Sequence, residues 1–488
     1  MPSSFQELPH DIIREIAVRS LPELPELTTV RPPLSLCHVS SSWRHVVQSS
    51  PELWSILFVK APAKGNHPRL LNQILEWFGR AKTRPLSFFL SLEPLAPFSY
   101  RKYDGPSQYE CFLKKLSPIV SRTRHLGLNL EKMEDFMEYF ISKSLQWDFS
   151  KLDSFDLACE WGSFFSPTRG VAMVDLFKDA LGLHCLSIHG MLFYDHIHVL
   201  DRQTIFPLSN LTTIVLQEPL VHEDWDSMIQ SCPRMRYGDF TFNMYPVGPS
   251  GPINHGRLAD LEVLLLKARL DGEHSLVAQV ANLELPNLHT LRLDADYRAK
   301  LMSPEALGFQ HFHCIQSLAL NCGWRDGVDG MVQLFQQVVN VKELTLTFSD
   351  YHASGYEISR SLFKAMSYAE SHIILPNIIL PKLTSLRIHS SWSWGYSYDG
   401  FDVNALPYLI KSRSLGELPV GCERLQSLTI ALDLYRPINR EEAKTKKTFQ
   451  VLVLLCSVAG VAFDLTDSID DWDKERSNRR AFGGMFDE

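Results

Sequence analysis

Three short stretches decide the fold: LHTLRL at residues 288–293, IQSLAL at 315–320 and VKELTL at 341–346. Each reads apolar-x-x-apolar-x-apolar. The same pattern starts again at Leu152, Leu183, Leu211, Leu261, Leu383 and Leu425, with a degenerate copy at Met235 and an earlier one around HLGLNL at 125–130. From Leu152 to Val341 the successive starts lie 24 to 31 residues apart, and the two later intervals are 42 residues. A run of matches near one period indicates a structural repeat.

The pattern predicts a short strand with alternate apolar residues turned inward, because strand side chains point to opposite faces. Each repeat then returns through a helix or irregular segment, for instance DGMVQLFQQVVN at 329–340. One repeat of this size cannot bury its own apolar face, so neighbouring repeats must stack. We therefore expect an α/β solenoid with a curved parallel sheet.

These stretches resemble the leucine-rich repeat family, of an irregular, long-repeat kind. The segments TRPLSFFLSL (83–92) and FDLTD (463–467) are candidates for an early and a last strand. We predict a connector with a first strand–helix unit at 61–120, the solenoid at 121–466, and a polar, disordered tail at 467–488.

The N-terminal sixty residues show a different period. ELPHDIIREIAVRSL (7–21) and RPPLSLCHVSSSWRHVV (31–47) each place apolar residues on one helix face, and Ser50-Pro51 opens a short turn, PELW. Three short helices in about fifty residues offer more apolar surface than so small a unit can hide. Part of that surface is therefore a candidate for contact with another protein or with the rest of the chain.

The motifs L-P-x-D-I-I-x-E-I, L-x-x-V-S-x-x-W-R-x-V-V and S-P-E-L-W resemble an F-box domain over residues 4–60, of the type that fungal F-box proteins combine with leucine-rich repeats. The resemblance implies a three-helix hook that binds a Skp-type adaptor and, through it, a cullin. The residues that it implicates in adaptor binding are Leu8, Pro9, Ile12, Ile13, Ile16, Val39, Trp43, Leu53 and Trp54.

Together, the hook and the repeats resemble a substrate-recognition subunit of a Skp/cullin/F-box ubiquitin ligase, which holds a target protein and carries out no catalysis. The alternative is a repeat scaffold without a ubiquitin role, in which the N-terminal helices cap the solenoid. Candidate target-binding residues point to the open face of the strands: Lys267, Arg292, Asp294, Asn321, Glu343, Arg387 and His389. A plain solvated sheet face has the same appearance.

The loop SSWSWGYSYDGFD (390–402) is a second candidate for target contact, because tryptophan and tyrosine are enriched at interface hot spots. Its aromatic residues are Trp392, Trp394, Tyr396 and Tyr398. Alternation at every second residue is also typical of a hairpin packed on the solenoid.

Other classes of function are disfavoured by composition. A net charge of −8 gives no electrostatic footprint for nucleic acid or an anionic membrane. Nine cysteines without a C-x-x-C pair indicate reduced thiols in an intracellular, cytoplasmic or nuclear protein. The apolar stretch 449–463 is too short to span a bilayer and predicts a buried helix running into a buried strand. Enzyme and cofactor motifs are lacking, and HFHC (311–314) offers too few ligands for a metal.

Overall fold

The computed structural model describes residues 8–61, 67–92, 108–129, 147–158, 177, 179–189, 207–220, 222–243, 256–269, 276–280, 283–295, 301–302, 311–321, 327–349, 355–368, 378–391, 402–433 and 447–466. Within them the chain is an α/β protein with parallel strands, which confirms the predicted class. It divides into two compact units, one formed by the described residues up to Glu218 and the other by those from Pro219 onward. The predicted tail at 467–488 lies outside the described residues.

The first unit contains parallel strands whose neighbours follow in chain order. Its helices are His10–Arg19, Ser41–Ser49, His67–Arg80, Gln108–Lys115 and Ser117–Val120. Its strands are β1 (Ile56–Ala61), β2 (Leu86–Leu92), β3 (Thr123–Asn129), β4 (Ser154–Ala158), β5 (Cys185–His189) and β6 (Thr213–Leu220).

The second unit also contains parallel strands, with helices between several of them. Its helices are His222–Ser231, Gly327–Gln337, Gly355–Met366, Leu406–Ser414 and Lys447–Ala459. The strands of its large sheet are β7 (Tyr237–Asn243), β9 (Val263–Arg269), β11 (Thr290–Ala295), β12 (Ser317–Asn321), β13 (Glu343–Ser349), β14 (Ser385–Ser391), β15 (Ser427–Asp433) and β16 (Ala462–Thr466). A separate parallel pair joins β8 (Gly256–Arg257) to β10 (Leu283–Glu284).

The apolar positions of the repeat pattern line up across the strands and form the core. Leu291 pairs with Leu318, Leu318 with Leu344, and Leu344 with Leu386, and all four side chains are buried. The residues between them point to the other face, which we call the outward face. The sequence pattern therefore predicted both the strands and the direction of their side chains.

Asparagines just before the strands tie successive repeats together. The Nδ2 atom of Asn287 donates to the carbonyl oxygen of Ala259 at 2.7 Å, and that of Asn340 donates to the carbonyl oxygen of His313 at 2.6 Å. Asn210 makes the same bond to Leu181 at 3.0 Å. Each bond satisfies a backbone carbonyl of the preceding repeat, where the chain turns into its strand.

The last repeat differs from its prediction in two respects. The strand β16 is not a buried strand, because Ala462 and Asp464 on it are exposed. The second difference concerns the helix before it. The helix Lys447–Ala459 runs into β16 as expected, with Leu452 and Cys456 buried. Its opposite side is exposed, however, and carries Val451, Leu454 and Val458. The apolar stretch is thus a helix with one buried face rather than a wholly buried one.

Candidate protein-binding surfaces

The N-terminal helices close around a small core of their own. Ser40 caps the helix Ser41–Ser49, because its Oγ atom accepts from the backbone N–H of Trp43 at 3.3 Å. Trp43, Ile13 and Val46 form a buried cluster, and Leu8, Ile16 and Leu36 pack against it. Four of the residues predicted to bind an adaptor therefore make contacts inside this cluster: Leu8, Ile13, Ile16 and Trp43.

Trp54 joins these helices to the strands behind them. It is fully buried, and its indole N–H donates to the carbonyl oxygen of Val47 at 2.9 Å. Its ring meets the ring of Trp77 edge-on at 4.8 Å, and the guanidinium of Arg80 lies 4.5 Å from its centre. Leu53 beside it is also buried. These two predicted adaptor residues pack within the chain.

Glu52 stabilises the same junction through ion pairs. Its carboxylate pairs with Arg14 of the first helix and lies 3.7 Å from the guanidinium of Arg84. Burial acts to raise the pKa of Glu52, but the hydrogen bond and charge of Arg14 outweigh it, so the pKa of this carboxyl is lowered. The first helix is therefore held at a defined place relative to the turn that carries Trp54.

The remaining predicted adaptor residues are accessible. Ile12 is 47% exposed, Val39 is 44% exposed, and Pro9 is exposed as well. Val18, which the sequence prediction did not include, is 41% exposed on the first helix. The short helices thus have a closed core of their own. In addition they carry large aliphatic side chains that lie outside that core and are exposed.

The predicted target-binding residues of the second unit lie on the outward face, and several are in contact. Nζ of Lys267 lies 3.5 Å from the carboxylate of Asp294, and the amide of Asn321 donates to the same carboxylate at 3.2 Å. Arg292 and Arg387 are half-buried and Glu343 is exposed. His389 is 7% exposed, so its side chain is largely enclosed. Trp392, Trp394, Tyr396 and Tyr398 lie outside the described residues.

The outward face of the first unit contains a polar cluster that the sequence prediction missed. Asp156 on β4 lies beside Ser187 on β5 in the strand register, and His189 follows two residues later. The hydroxyl of Ser187 is 2.6 Å from Nε2 of His189, and a carboxylate oxygen of Asp156 is 3.7 Å from the same nitrogen. The repeat alignment pairs LDSFDL with LHCLSI, so the juxtaposition of Asp156 and Ser187 was available from the sequence.

This cluster is not arranged as a hydrolase triad. In such a triad the serine and the aspartate contact opposite nitrogens of the imidazole, whereas here both approach Nε2. Ser187 is also completely buried, and Asp156 is 6% exposed. The second carboxylate oxygen of Asp156 has no hydrogen-bond partner among the described residues. Burial of the carboxyl raises its pKa well above the ordinary value.

The histidine and cysteine side chains of the described ranges do not converge on a metal site. The rings of His311 and His313 are 6.2 Å apart, and the sulfur of Cys314 is 3.4 Å from Nε2 of His313. Across the described ranges, no three histidine, cysteine or acidic residues are grouped to hold a metal ion. The seven described cysteines are free thiols, and burial raises the pKa of Cys185 and of Cys232 to about 12.

No helix in the described part of the chain has both the length and the apolar character needed to cross a membrane. The chain matches no protein-family model, and none of the curated proteins matches it significantly.

Proposed function

We propose that the protein is the substrate-recognition subunit of a Skp/cullin/F-box ubiquitin ligase. In this proposal the N-terminal helices form the F-box hook that binds a Skp-type adaptor. The strands form a leucine-rich-repeat-like solenoid whose outward face holds a target protein. The chain acts by position, since it keeps the target near a ubiquitin-loaded enzyme and raises the effective concentration of the two.

One observation carries the adaptor part of the proposal. The helices that resemble an F-box bury Ile13 and Trp43 in their own core and leave Ile12 and Val39 exposed. Large aliphatic side chains are common on protein surfaces, so their exposure gains weight from the motif in which they lie. We assign the direct adaptor contacts to Ile12 and Val39, and a supporting role to Trp43 and Trp54.

The test is retention on an immobilised, purified Skp-type adaptor. We expect the wild-type protein to be retained and Ile12→Asp to weaken binding by about tenfold or more, because an apolar interface would then enclose an unpaired carboxylate. Val420→Asp is the matched control, since Val420 is 93% exposed in the second unit. Circular dichroism checks that both variants fold.

Two results would contradict the ligase proposal: a wild-type protein that does not bind the adaptor, or equal binding by folded Ile12→Asp and Val420→Asp. A Trp54→Ala variant is a poor test, because Trp54 is fully buried against Val47 and Trp77. Its loss would disturb folding whatever the partner.

A second candidate function is a repeat scaffold in which the N-terminal helices serve as a cap. It is favoured by the way these helices attach to the first strand. The backbone N–H of Phe58 on β1 donates to the carbonyl oxygen of Pro25 at 2.8 Å, so the loop between the helices covers the edge of β1. A scaffold would keep this packing and show no adaptor binding, and the retention assay therefore separates the two functions.

A further inference from the structure

The helix Lys447–Ala459 exposes a line of large aliphatic side chains. Its outer side carries three residues at the spacing i, i+3 and i+7, which we call the apolar stripe: Val451, Leu454 and Val458. This spacing places all three along one side of the helix, one above the other. Their exposed fractions are 47%, 67% and 68%, so the stripe is open to water within the chain.

A neighbouring helix of the same unit shows what a water-facing side looks like in this protein. In the helix Gly355–Met366, three exposed residues have the same i, i+3 and i+7 spacing, and all three are charged: Glu357, Arg360 and Lys364. Single exposed aliphatic residues are common on protein surfaces. Three in a line form a contiguous patch, and such patches mark contact surfaces.

The sequence around the stripe indicates what kind of partner it fits. Residues 448–463 contain no aspartate, glutamate, lysine, arginine or histidine. Partners of different sequence are commonly selected by complementary charge, which this segment does not offer. A second copy of the helix presents the same uncharged stripe, so pairing two copies brings no like charges together.

We propose that the apolar stripe is the contact between two copies of this chain, whose helices pair antiparallel about a two-fold axis. The stripe suits this arrangement, because Val451 precedes Leu454 by three residues and Val458 follows it by four. With the axis near Leu454, the two Leu454 side chains meet, and Val451 of each copy meets Val458 of the other. Antiparallel pairing also places the positive N-terminal end of each helix beside the negative C-terminal end of its partner.

The size of the stripe limits the strength of this dimer. Val451 and Val458 are about 10 Å apart along the helix axis, since each residue adds about 1.5 Å. Two such stripes bury less than the roughly 1,200 Å² of accessible surface that stable complexes bury. We therefore expect a dimer that dissociates on dilution into the micromolar range. The inference is independent of the proposed function, because the stripe and the N-terminal helices belong to different units.

Sedimentation velocity of the whole protein tests the proposal, at concentrations from about 1 to about 100 µM. We expect the wild-type protein to shift from the mass of one chain toward that of two as its concentration rises. Leu454→Glu should stay monomeric throughout, because two-fold pairing would bring two carboxylates together in an apolar contact. Circular dichroism checks that each variant folds.

Val451→Glu and Val453→Glu are a matched pair of variants. Both residues are valines of the same helix, and each is 47% exposed. Two residues correspond to about 200° around a helix of 3.6 residues per turn, so Val453 lies outside the stripe. We expect Val451→Glu to weaken the dimer by about tenfold or more, and Val453→Glu to change it by about twofold or less.

A mixing experiment tests the two-fold axis. Leu454→Glu and Leu454→Lys should each be monomeric alone, whereas an equimolar mixture should sediment as a dimer, because opposite charges then meet at the axis. A variant that had lost its fold would not regain association in this way.

The proposal is overturned if the wild type stays monomeric up to about 100 µM, or if folded Leu454→Glu dimerises as the wild type does. Equal effects of Val451→Glu and Val453→Glu would overturn it too, as would a mixture of the Leu454 variants that stays monomeric. Phosphatidylcholine vesicles test a different occupant. If they bind the wild type and not folded Leu454→Glu, the stripe contacts lipid rather than a second copy, and the proposal fails.

Discussion

Outward positions at the same place in the repeat pattern can differ in burial, and two pairs of neighbouring residues show this. In the first unit the middle row contains Asp156 and Ser187, both buried. In the second unit the middle row contains Thr345 and Arg387, both half-buried. The inward leucines are equivalent in the two units. The difference shows that the repeat pattern determines the core, whereas each outward position has to be judged by its own burial.

The burial of a side chain determines the free-energy cost of its charge. A carboxyl group that is enclosed, as in Asp156, is costly to ionise, and its pKa rises. A charge that keeps contact with water, as in the pair Lys267–Asp294, has a small desolvation cost. We therefore regard Asp156 and Ser187 as interior residues, and Thr345 and Arg387 as residues that keep contact with water.

The largest expected effect on stability comes from introducing a glutamate at an outward position of each unit. Ser187→Glu introduces a carboxylate beside Asp156 in a buried site, and we expect the free energy of unfolding to fall by about 3 kcal/mol or more. Thr345→Glu, beside Arg387, should change it by about 0.5 kcal/mol or less. Urea denaturation measures both. Equal losses in the two variants would remove the distinction between the faces.

A second prediction uses the raised pKa of Asp156. Because the folded state holds this proton more tightly than the unfolded state, the stability linked to it is fully present at low pH and is lost as pH rises toward the folded pKa. Asp156→Asn has no such proton to lose. We expect the free energy of unfolding of Asp156→Asn to rise relative to that of the wild type as pH is raised from 4.5 to 8.

The measurement is urea denaturation of both proteins at several pH values in that range. The difference between them isolates the site formed by Asp156 and His189, which are 3.7 Å apart, from the other titrating groups of the protein. Two curves that stay parallel across the range would show that Asp156 ionises in the folded protein as it does in water.

The smallest effect is expected at the pair Lys267–Asp294. Both side chains are partly exposed, at 29% and 22%, so Lys267→Ala should lower the free energy of unfolding by about 0.5 kcal/mol. The loss should shrink in 1 M salt, where charges are screened over about 3 Å. A loss as large as that of Ser187→Glu would mean that this face is interior too.

Much of the fold was predictable, because it follows from local patterns. The apolar positions of LHTLRL and VKELTL became β11 and β13 with their leucines buried. The segment TRPLSFFLSL contains β2, and FDLTD overlaps β16. The asparagine bonds between repeats were not foreseen. Asn287 and Asn340 precede their strands and lie outside the apolar pattern that predicted them.

The candidate sites were less predictable, because burial depends on residues that are distant in the sequence. Ile12 and Ile13 are adjacent, yet one is 47% exposed and the other is fully buried. Trp54 is enclosed by Trp77, which lies in a helix that the N-terminal motif does not contain. His389 was expected on an open face and is 7% exposed. Side-chain alternation predicts a direction but not what lies in that direction.

We propose that the N-terminal helices bind an adaptor through Ile12 and Val39. Isothermal titration of the whole protein with a purified Skp-type adaptor tests it most directly, with Ile12→Asp and Val39→Asp titrated in parallel. We predict saturable one-to-one binding by the wild type and binding at least about tenfold weaker in both folded variants. A titration of the wild-type protein that shows no binding would contradict the claim.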